Sequence, residues 1–283
     1  MKISDDGKTL IKVLDKTAER ITIPEGVEVI GEDAFASCEA LQSINVAEGN
    51  KHYASIDGVL YSKDLTIIKK VPEGAGLKSF SIPNSVTTIG ELAFYNCQSL
   101  ENIDIPASVT TIGEGAFAWC TSLQCIDIPD SVTTIGESAF AGCSSLQSIN
   151  VEDENQHYAS VDGVLYSKDL TIIKKVPEGV GLKSFSISDN VTTIGEWAFS
   201  RCKALKRVDI PNSVTTIGYM AFSNCSALQS IHMSRTTLDG FDIGENAFYN
   251  IDIDECTLYV PAGTKKAYSK HPVFGEFKKI VEE

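Results

Sequence analysis

The 283-residue chain contains no apolar run approaching the ~20 residues that span a bilayer, so no transmembrane helix is expected. It is short of positive charge: 24 Lys and Arg face 38 Asp and Glu, for a formal net charge of −14. That deficit speaks against nucleic acid as a partner, because phosphate-backbone binding rests on clustered Lys and Arg. It also disfavours adhesion to an anionic membrane surface. Catalytic signatures are missing as well. There is no G-x-S-x-G nucleophile elbow, no G-x-x-x-x-G-K-[ST] phosphate loop and no G-x-G-x-x-G dinucleotide turn. No C-x-x-C pair occurs to begin a zinc site. The opening MKISDDGKTLIKVL lacks an apolar stretch followed by small residues, so no secretory leader is read there. A cytoplasmic protein and one whose leader has been removed both remain open.

What the chain does have is repetition. Ala-Phe recurs at Ala34-Phe35, Ala93-Phe94, Ala116-Phe117, Ala139-Phe140, Ala198-Phe199, Ala221-Phe222 and Ala247-Phe248, each Ala preceded by a glycine three residues earlier. The spacing is 23 or 59 residues, except for a last step of 26. Since 59 is 23 plus 36, two longer units are inserted, near 47–82 and 152–187. Residues 52–82 and 157–187 are near copies that differ only at Ile56/Val161 and Ala75/Val180. The N-terminal ISDDGKTLIKVLDKTAERITIP matches the second half of a third such unit.

Each unit follows one physical plan. A segment such as Asn102-Ile103-Asp104-Ile105 alternates polar and apolar residues, as a half-buried strand does. Ten segments of this kind are expected to end at Ile23, Val46, Ile82, Ile105, Ile128, Val151, Ile187, Ile210, Met233 and Val260. Proline then closes most of them, where no ladder amide is needed. Val-Thr-Thr-Ile gives a second extended stretch rich in β-branched residues. The glycine is expected to turn the chain, and Glu-x-Ala-Phe-x-x-Cys to form a brief helical turn. One unit cannot bury its own apolar side; stacked copies can. The GVLYSKDLTIIKK phrase within each long unit reads as a β-hairpin around Ser62-Lys63-Asp64 and Ser167-Lys168-Asp169. The expected fold is therefore a repeat solenoid: a parallel β-sheet on the concave face, short helical turns on the other side, and inserted β-hairpins. Residues 1–256 form the solenoid, and 257–283 a last strand and a cap over its open end.

The run L-x-x-I-x-I-P-x-S-V-T-T-I-G-x-x-A-F-x-x-C-x-S resembles the BspA-like leucine-rich repeat family, as do HYASIDGVLYSKDLTIIKKVP and the ending CTLYVPAGTKKAY…FKKIVEE. The resemblance covers essentially the whole chain. It implies a leucine-rich-repeat-like right-handed coil. It further implies a bacterial surface or secreted protein of an adhesin-like kind, since some members bind host extracellular proteins.

Eight cysteines are present. Cys38, Cys97, Cys120, Cys143, Cys202 and Cys225 share one repeat position; Cys125 and Cys256 lie outside it. Ile251 fills the same slot in the seventh unit, so the slot reads as apolar and the thiols as buried filler rather than disulfides or ligands. His52 and His157, followed by Tyr, are expected to stabilise the start of each long unit, and His232 to point outward from a strand. The acidic clusters Glu152-Asp153-Glu154 and Asp252-x-Asp254-Glu255 lack calcium-loop spacing and read as solvated carboxylates.

One collective feature could carry function. The outward strand residues form two polar rows on the sheet face, from which Asn45, Ser81, Asn102, Asp104, Asp127, Asn150, Ser186, Arg207, Asp209 and His232 are the candidate binding residues. The rows contain no aromatic anchor, and Arg207 is their sole residue of hot-spot type. Trp119, Tyr95, Trp197, Tyr219 and Tyr249 lie near the turns on the other side. The expectation is a non-enzymatic interaction module without a cofactor or metal, monomeric, binding a protein or glycan. The competing reading is a spacer or self-associating scaffold.

Overall fold

The computed structural model describes residues 1–283, which gather into two compact units, Met1–Cys143 and Ser144–Glu283. Both are built from coils containing two rows of short parallel strands and almost no helix. In the first unit the long row of strands contains Arg20–Ile23 paired with Ser43–Val46, and Ser79–Ser81 paired with Asn102–Asp104. Cys125–Ile128 packs beside the latter pair. In the second unit Ser184–Ser186, Arg207–Ile210, Ser230–Met233, Thr257–Val260 and Lys279–Glu282 form one five-stranded parallel sheet. The strands at the ten expected positions all form. An eleventh, Lys279–Glu282, joins them from the C-terminal segment, whose only α-helix is Lys265–Tyr268.

The Val-Thr-Thr-Ile stretches make the second row. Ile67–Lys70, Thr88–Ile89, Thr111–Ile112 and Thr134–Ile135 run parallel, with Ile68, Ile89, Ile112 and Ile135 in register. The polar residues of this phrase bond one coil to the one before. Thr110 Oγ1 donates to Thr87 O at 3.3 Å, Thr133 Oγ1 to Thr110 O at 3.3 Å, and Ser108 Oγ to Val86 O at 2.8 Å. Thr and Ser are thus selected here for bonds between coils as well as for extended backbone.

The Ala-Phe phrase does not form the expected helical turn. It makes successive tight turns in which residues two and six places after the glycine adopt left-handed φ: Leu92 (52°) and Asn96 (61°), Trp197 (56°) and Arg201 (62°). A left-handed residue every fourth place cannot sustain right-handed helix, and costs about 1–2 kcal/mol at a non-glycine position. In exchange, alternate amides turn toward the next coil. Leu92, Phe94 and Asn96 donate to the carbonyls of Glu114, Ala116 and Ala118 at 3.0, 2.8 and 2.9 Å. The glycine ahead of this phrase is required by proximity rather than by the turn expected there. A Cβ on Gly113 would lie 2.6 Å from Glu91 N and 2.7 Å from Gly90 C, backbone atoms of the preceding coil.

Phenylalanines line each interior. In the first unit Phe94 stacks on Phe117 (5.0 Å between centroids) and Phe117 on Phe140 (5.9 Å). In the second, Phe199 stacks on Phe222 (4.8 Å) and Phe222 on Phe248 (5.5 Å). The cysteine slot is buried as expected, and all eight cysteines are free thiols. Five of the six slot thiols meet a carbonyl of the preceding coil, among them Cys120 Sγ, which donates to Phe94 O at 3.1 Å, and Cys225 Sγ, which donates to Phe199 O at 3.0 Å; Cys38 Sγ instead donates to Ala36 O of its own turn at 3.8 Å. Burial pushes the thiols of Cys97 and Cys202 up to about 12.

The long units are three-stranded antiparallel meanders rather than simple hairpins. Tyr53–Ile56 pairs with Val59–Ser62, which pairs with Ile67–Lys70. The last strand is itself a rung of the parallel Thr-Ile row, so the insert is built into the coil. Its turn is fixed by Asp64, whose Oδ1 accepts from Ser62 Oγ (2.6 Å) and Thr66 Oγ1 (2.8 Å). Asp169 does the same with Ser167 and Thr171, and Asp6 accepts from Ser4, as the partial third copy predicts. The start of the long unit is held not by the His52 ring, which is exposed, but by buried Asn50. Its amide nitrogen donates to Pro24 O and Val27 O, and its oxygen accepts from the backbone of His52 and Tyr53. All the hydrogen-bonding groups of a buried amide are thereby used.

Candidate interaction surfaces

The outward strand residues fall into separate groups. In the first unit Ser81 stands in register with Asp104, and Ser79 with Asn102; Asp127 lies on the neighbouring strand. Asn45 is not continuous with them. Its strand pairs only with Arg20–Ile23 in that sheet, and beyond it the insert turn intervenes, with Ile44 N donating to Gly58 O at 2.8 Å. Asn150 in the second unit is placed the same way: Ile149 N donates to Gly163 O at 2.9 Å, and its strand stands outside the five-stranded sheet. The rows are thus interrupted wherever a long unit enters, because the meander takes the place of the next strand.

The second unit brings four of the candidates together. Register aligns Ser186, Asp209, His232 and Tyr259 across adjacent strands, with Arg207 one row over beside Ser230. Arg207 Nε donates to Asp209 Oδ1 at 2.8 Å, and Ser186 Oγ to Asp209 Oδ2 at 2.9 Å. The His232 ring stacks on Tyr259 at 4.3 Å and 8° between planes, and its Nδ1 lies 2.8 Å from Glu283 Oε1. Arg207 keeps half its side chain in solvent (51%), so its guanidinium is oriented yet open to a ligand. Tyr259 and Glu283 were not among the sequence candidates. The alternation in Thr257-Leu258-Tyr259-Val260 carries the signal for Tyr259, since Leu258 and Val260 are buried. Glu283 follows from no pattern; only the eleventh strand brings it near. The face accordingly does hold an aromatic residue, contrary to the row read from sequence.

On the turns, Trp197 and Tyr219 pack edge to face at 5.6 Å, while Trp119 and Tyr249 are exposed. Each long unit also buries an ion pair, Lys70–Glu73 (3.6 Å) and Lys175–Glu178 (3.4 Å). Both ammonium groups also donate to turn carbonyls, Lys70 to Leu92 O and Tyr95 O, Lys175 to Trp197 O and Ser200 O. Charges so fully occupied by their own chain serve to anchor the long unit against the next turn.

Coils with one strand in a parallel ladder, a stacked aromatic interior and turn-to-turn backbone bonds define a leucine-rich-repeat type of solenoid in each unit. Residues 15–63, 65–175 and 167–268 match the family model for the BspA type leucine rich repeat region, with six copies, and the chain belongs to that family. Among solved structures it is similar to a leucine-rich repeat protein from Eubacterium ventriosum, at 28% identity and TM-score 0.56, over 82% of this chain and 59% of that one. A leucine-rich repeat protein from Bacteroides ovatus is 28% identical with TM-score 0.50, over 94% of this chain and 66% of that one. The chain therefore spans less than two thirds of the length of either protein. A leucine rich cell surface protein from Faecalibacterium prausnitzii shares the fold at 24% identity and TM-score 0.58, over 93% of this chain and 79% of that one. Comparison with curated proteins finds no match.

Proposed function

We propose that the chain is a non-enzymatic interaction module of a bacterial surface or secreted protein, adhesin-like, which binds a protein or glycan through the strand face of its second unit. The observation that carries this reading is the ordered group Ser186, Arg207, Asp209, His232 and Tyr259 on adjacent parallel strands. A guanidinium held by a carboxylate and a tyrosine held by ring stacking lose little freedom on binding, which leaves more of the contact energy for affinity. Arg and Tyr are the residue types that dominate interfaces, and the flanking Ser184, Ser230 and Thr257 are small enough to admit a partner's surface. Mixed guanidinium, carboxylate and aromatic groups suit both a polar protein surface and the hydroxyls and apolar faces of a sugar. The surface or secreted location rests on family membership.

The test is binding of the whole chain to immobilised extracellular-matrix proteins and to a glycan array, with Arg207→Ala and Tyr259→Ala compared by circular dichroism and affinity. The expected outcome is a ligand whose affinity falls about tenfold or more on either substitution while the fold is kept. Binding that is unchanged in the double variant would place the interface elsewhere. Concentration-dependent mass without any ligand would favour a self-associating scaffold.

A further inference from the structure

The turn-to-turn ladder has an open end inside the first unit. The amides four and six places after Gly90, Gly113, Gly195 and Gly218 donate to the next turn; in the first unit Phe94 and Asn96 donate to Ala116 O and Ala118 O, and Phe117 and Trp119 to Ala139 O and Ala141 O. The equivalent amides of the first turn, Phe35 and Ser37, donate to no protein acceptor, because the long unit replaces the turn that would follow. The Asp33 amide, two places after Gly31, is likewise without a protein acceptor, although its backbone lacks the left-handed φ of its counterparts. A cleft of 480 Å³ is lined by this turn at Phe35 and Ser37 together with Leu60, Lys70, Leu92 and Tyr95. That volume is within the range of about 300–1,000 Å³ typical of ligand sites.

We propose that this cleft binds an extended peptide segment of a partner protein, which takes the place of the missing turn. Two carbonyls of the peptide, two residues apart, would accept from Phe35 N and Ser37 N, as Ala116 and Ala118 accept from Phe94 and Asn96. This is strand addition to an open ladder, in which main-chain bonds supply affinity and flanking pockets supply selectivity. The two amides serve separate carbonyls in every complete rung, so the geometry fits a linear backbone better than a single compact anion. Lys70 is already occupied by Glu73 and two carbonyls, which leaves Leu92 and Tyr95 as the apolar wall for a side chain of the peptide. Glu32, Asp33 and Glu91 outnumber Lys69 among the exposed charges of the lining, so a segment with small residues at the acceptor positions and a basic flank is preferred. The site is distinct from the strand face of the second unit.

The probe is a capped peptide with the sequence of residues 113–119, GEGAFAW, followed by two lysines, added to the isotope-labelled full chain. At about 1 mM peptide, amide exchange at Phe35 and Ser37 should slow about tenfold or more, while Phe94, already bonded, is unchanged. Leu92→Trp should abolish that protection. The substitution is compatible with the fold, since Trp197 holds the corresponding left-handed position in the second unit at φ 56° against 52° for Leu92. Unaltered exchange at Phe35 and Ser37 would overturn the proposal, as would protection that survives in Leu92→Trp. Perturbation confined to Arg207, His232 and Tyr259 would also overturn it and leave the strand-face reading standing. Protection at Phe35 and Ser37 in a chain that binds nothing through Arg207 and Tyr259 would uphold it alone.

Discussion

At the scale of single residues, the cysteine slot shows how one position serves packing and hydrogen bonding together. A thiol is small enough for the coil interior, and its weak donor adds a second bond to a carbonyl that already accepts a backbone amide, as Phe94 O does from Cys97 N and Phe199 O from Cys202 N. Burial raises the thiols of Cys97, Cys202 and Cys256 to about 12, against an ordinary value of 9.0, so their thiolate fraction at neutral pH is lowered about 10³-fold. Cys125 alone is exposed. A thiol-disulfide reagent added to the native, unreduced protein near neutral pH should therefore modify Cys125 first, with the other seven reacting only as the chain unfolds. Denaturant without reductant should release eight thiols in all. Rapid labelling of several cysteines in the folded state would contradict the buried column. The slot's apolar nature was readable from Ile251, which substitutes for Cys in the seventh unit. Asn50, by contrast, has no repeat-wide signal; its neighbour His52 drew attention because histidine is chemically conspicuous, while the amide does the bonding.

At the scale of elements, glycine sets how closely two coils approach. Gly113 sits against the preceding coil's backbone, where a Cβ would be 2.6 Å from Glu91 N, and Gly113 N donates to Ile89 O at 2.8 Å. Gly113→Ala must displace backbone on one side or the other, and is expected to cost about 1–3 kcal/mol. Gly31→Ala meets its nearest atom, Leu10 O, at 3.3 Å and should cost less than half as much. Urea denaturation of the two variants checks this: the Gly113→Ala midpoint should fall clearly further, with similar slopes. Equal midpoints would mean that conformational freedom, not contact, explains the glycine. The strands were legible, each ending within one residue of its expected position, because alternation over Ile, Val and Leu survives even in three-residue segments. The turns were misread because Glu-x-Ala-Phe-x-x-Cys has helical spacing, whereas its left-handed residues, Leu92 and Trp197 among them, are not of types that advertise positive φ. Of the strand-face group, alternation exposed Arg207, Asp209 and His232. The grouping itself depended on where the long units break the rows, which no local pattern encodes.

At the scale of the whole molecule, the charge balance is the property that repeats do not explain. Thirty-eight acidic and 24 basic residues leave a net charge of −14, and self-repulsion of that size opposes the compact state. Exposed ion pairs such as Lys8–Glu28 (3.0 Å), Lys78–Glu101 (3.2 Å) and Lys279–Glu255 (2.6 Å) lose little when salt is added, since each contributes at most about 1 kcal/mol. The pairs Lys70–Glu73 and Lys175–Glu178 are buried and screened far less. Their recurrence in two inserts that differ at only two positions assigns them to the fold common to both. Screening should therefore relieve more repulsion than attraction. Raising sodium chloride from about 0.02 to about 0.2 M, which brings the Debye length below ~10 Å, should raise the thermal midpoint by about 2–4 °C, corresponding to roughly 1 kcal/mol in a chain of this size. The measurement is a pair of melts at fixed pH and protein concentration. A midpoint that falls with salt would show that the exposed pairs outweigh the net charge, and the strand-face carboxylate Asp209, held by Arg207, would then be the first pair to examine by replacement with Asn.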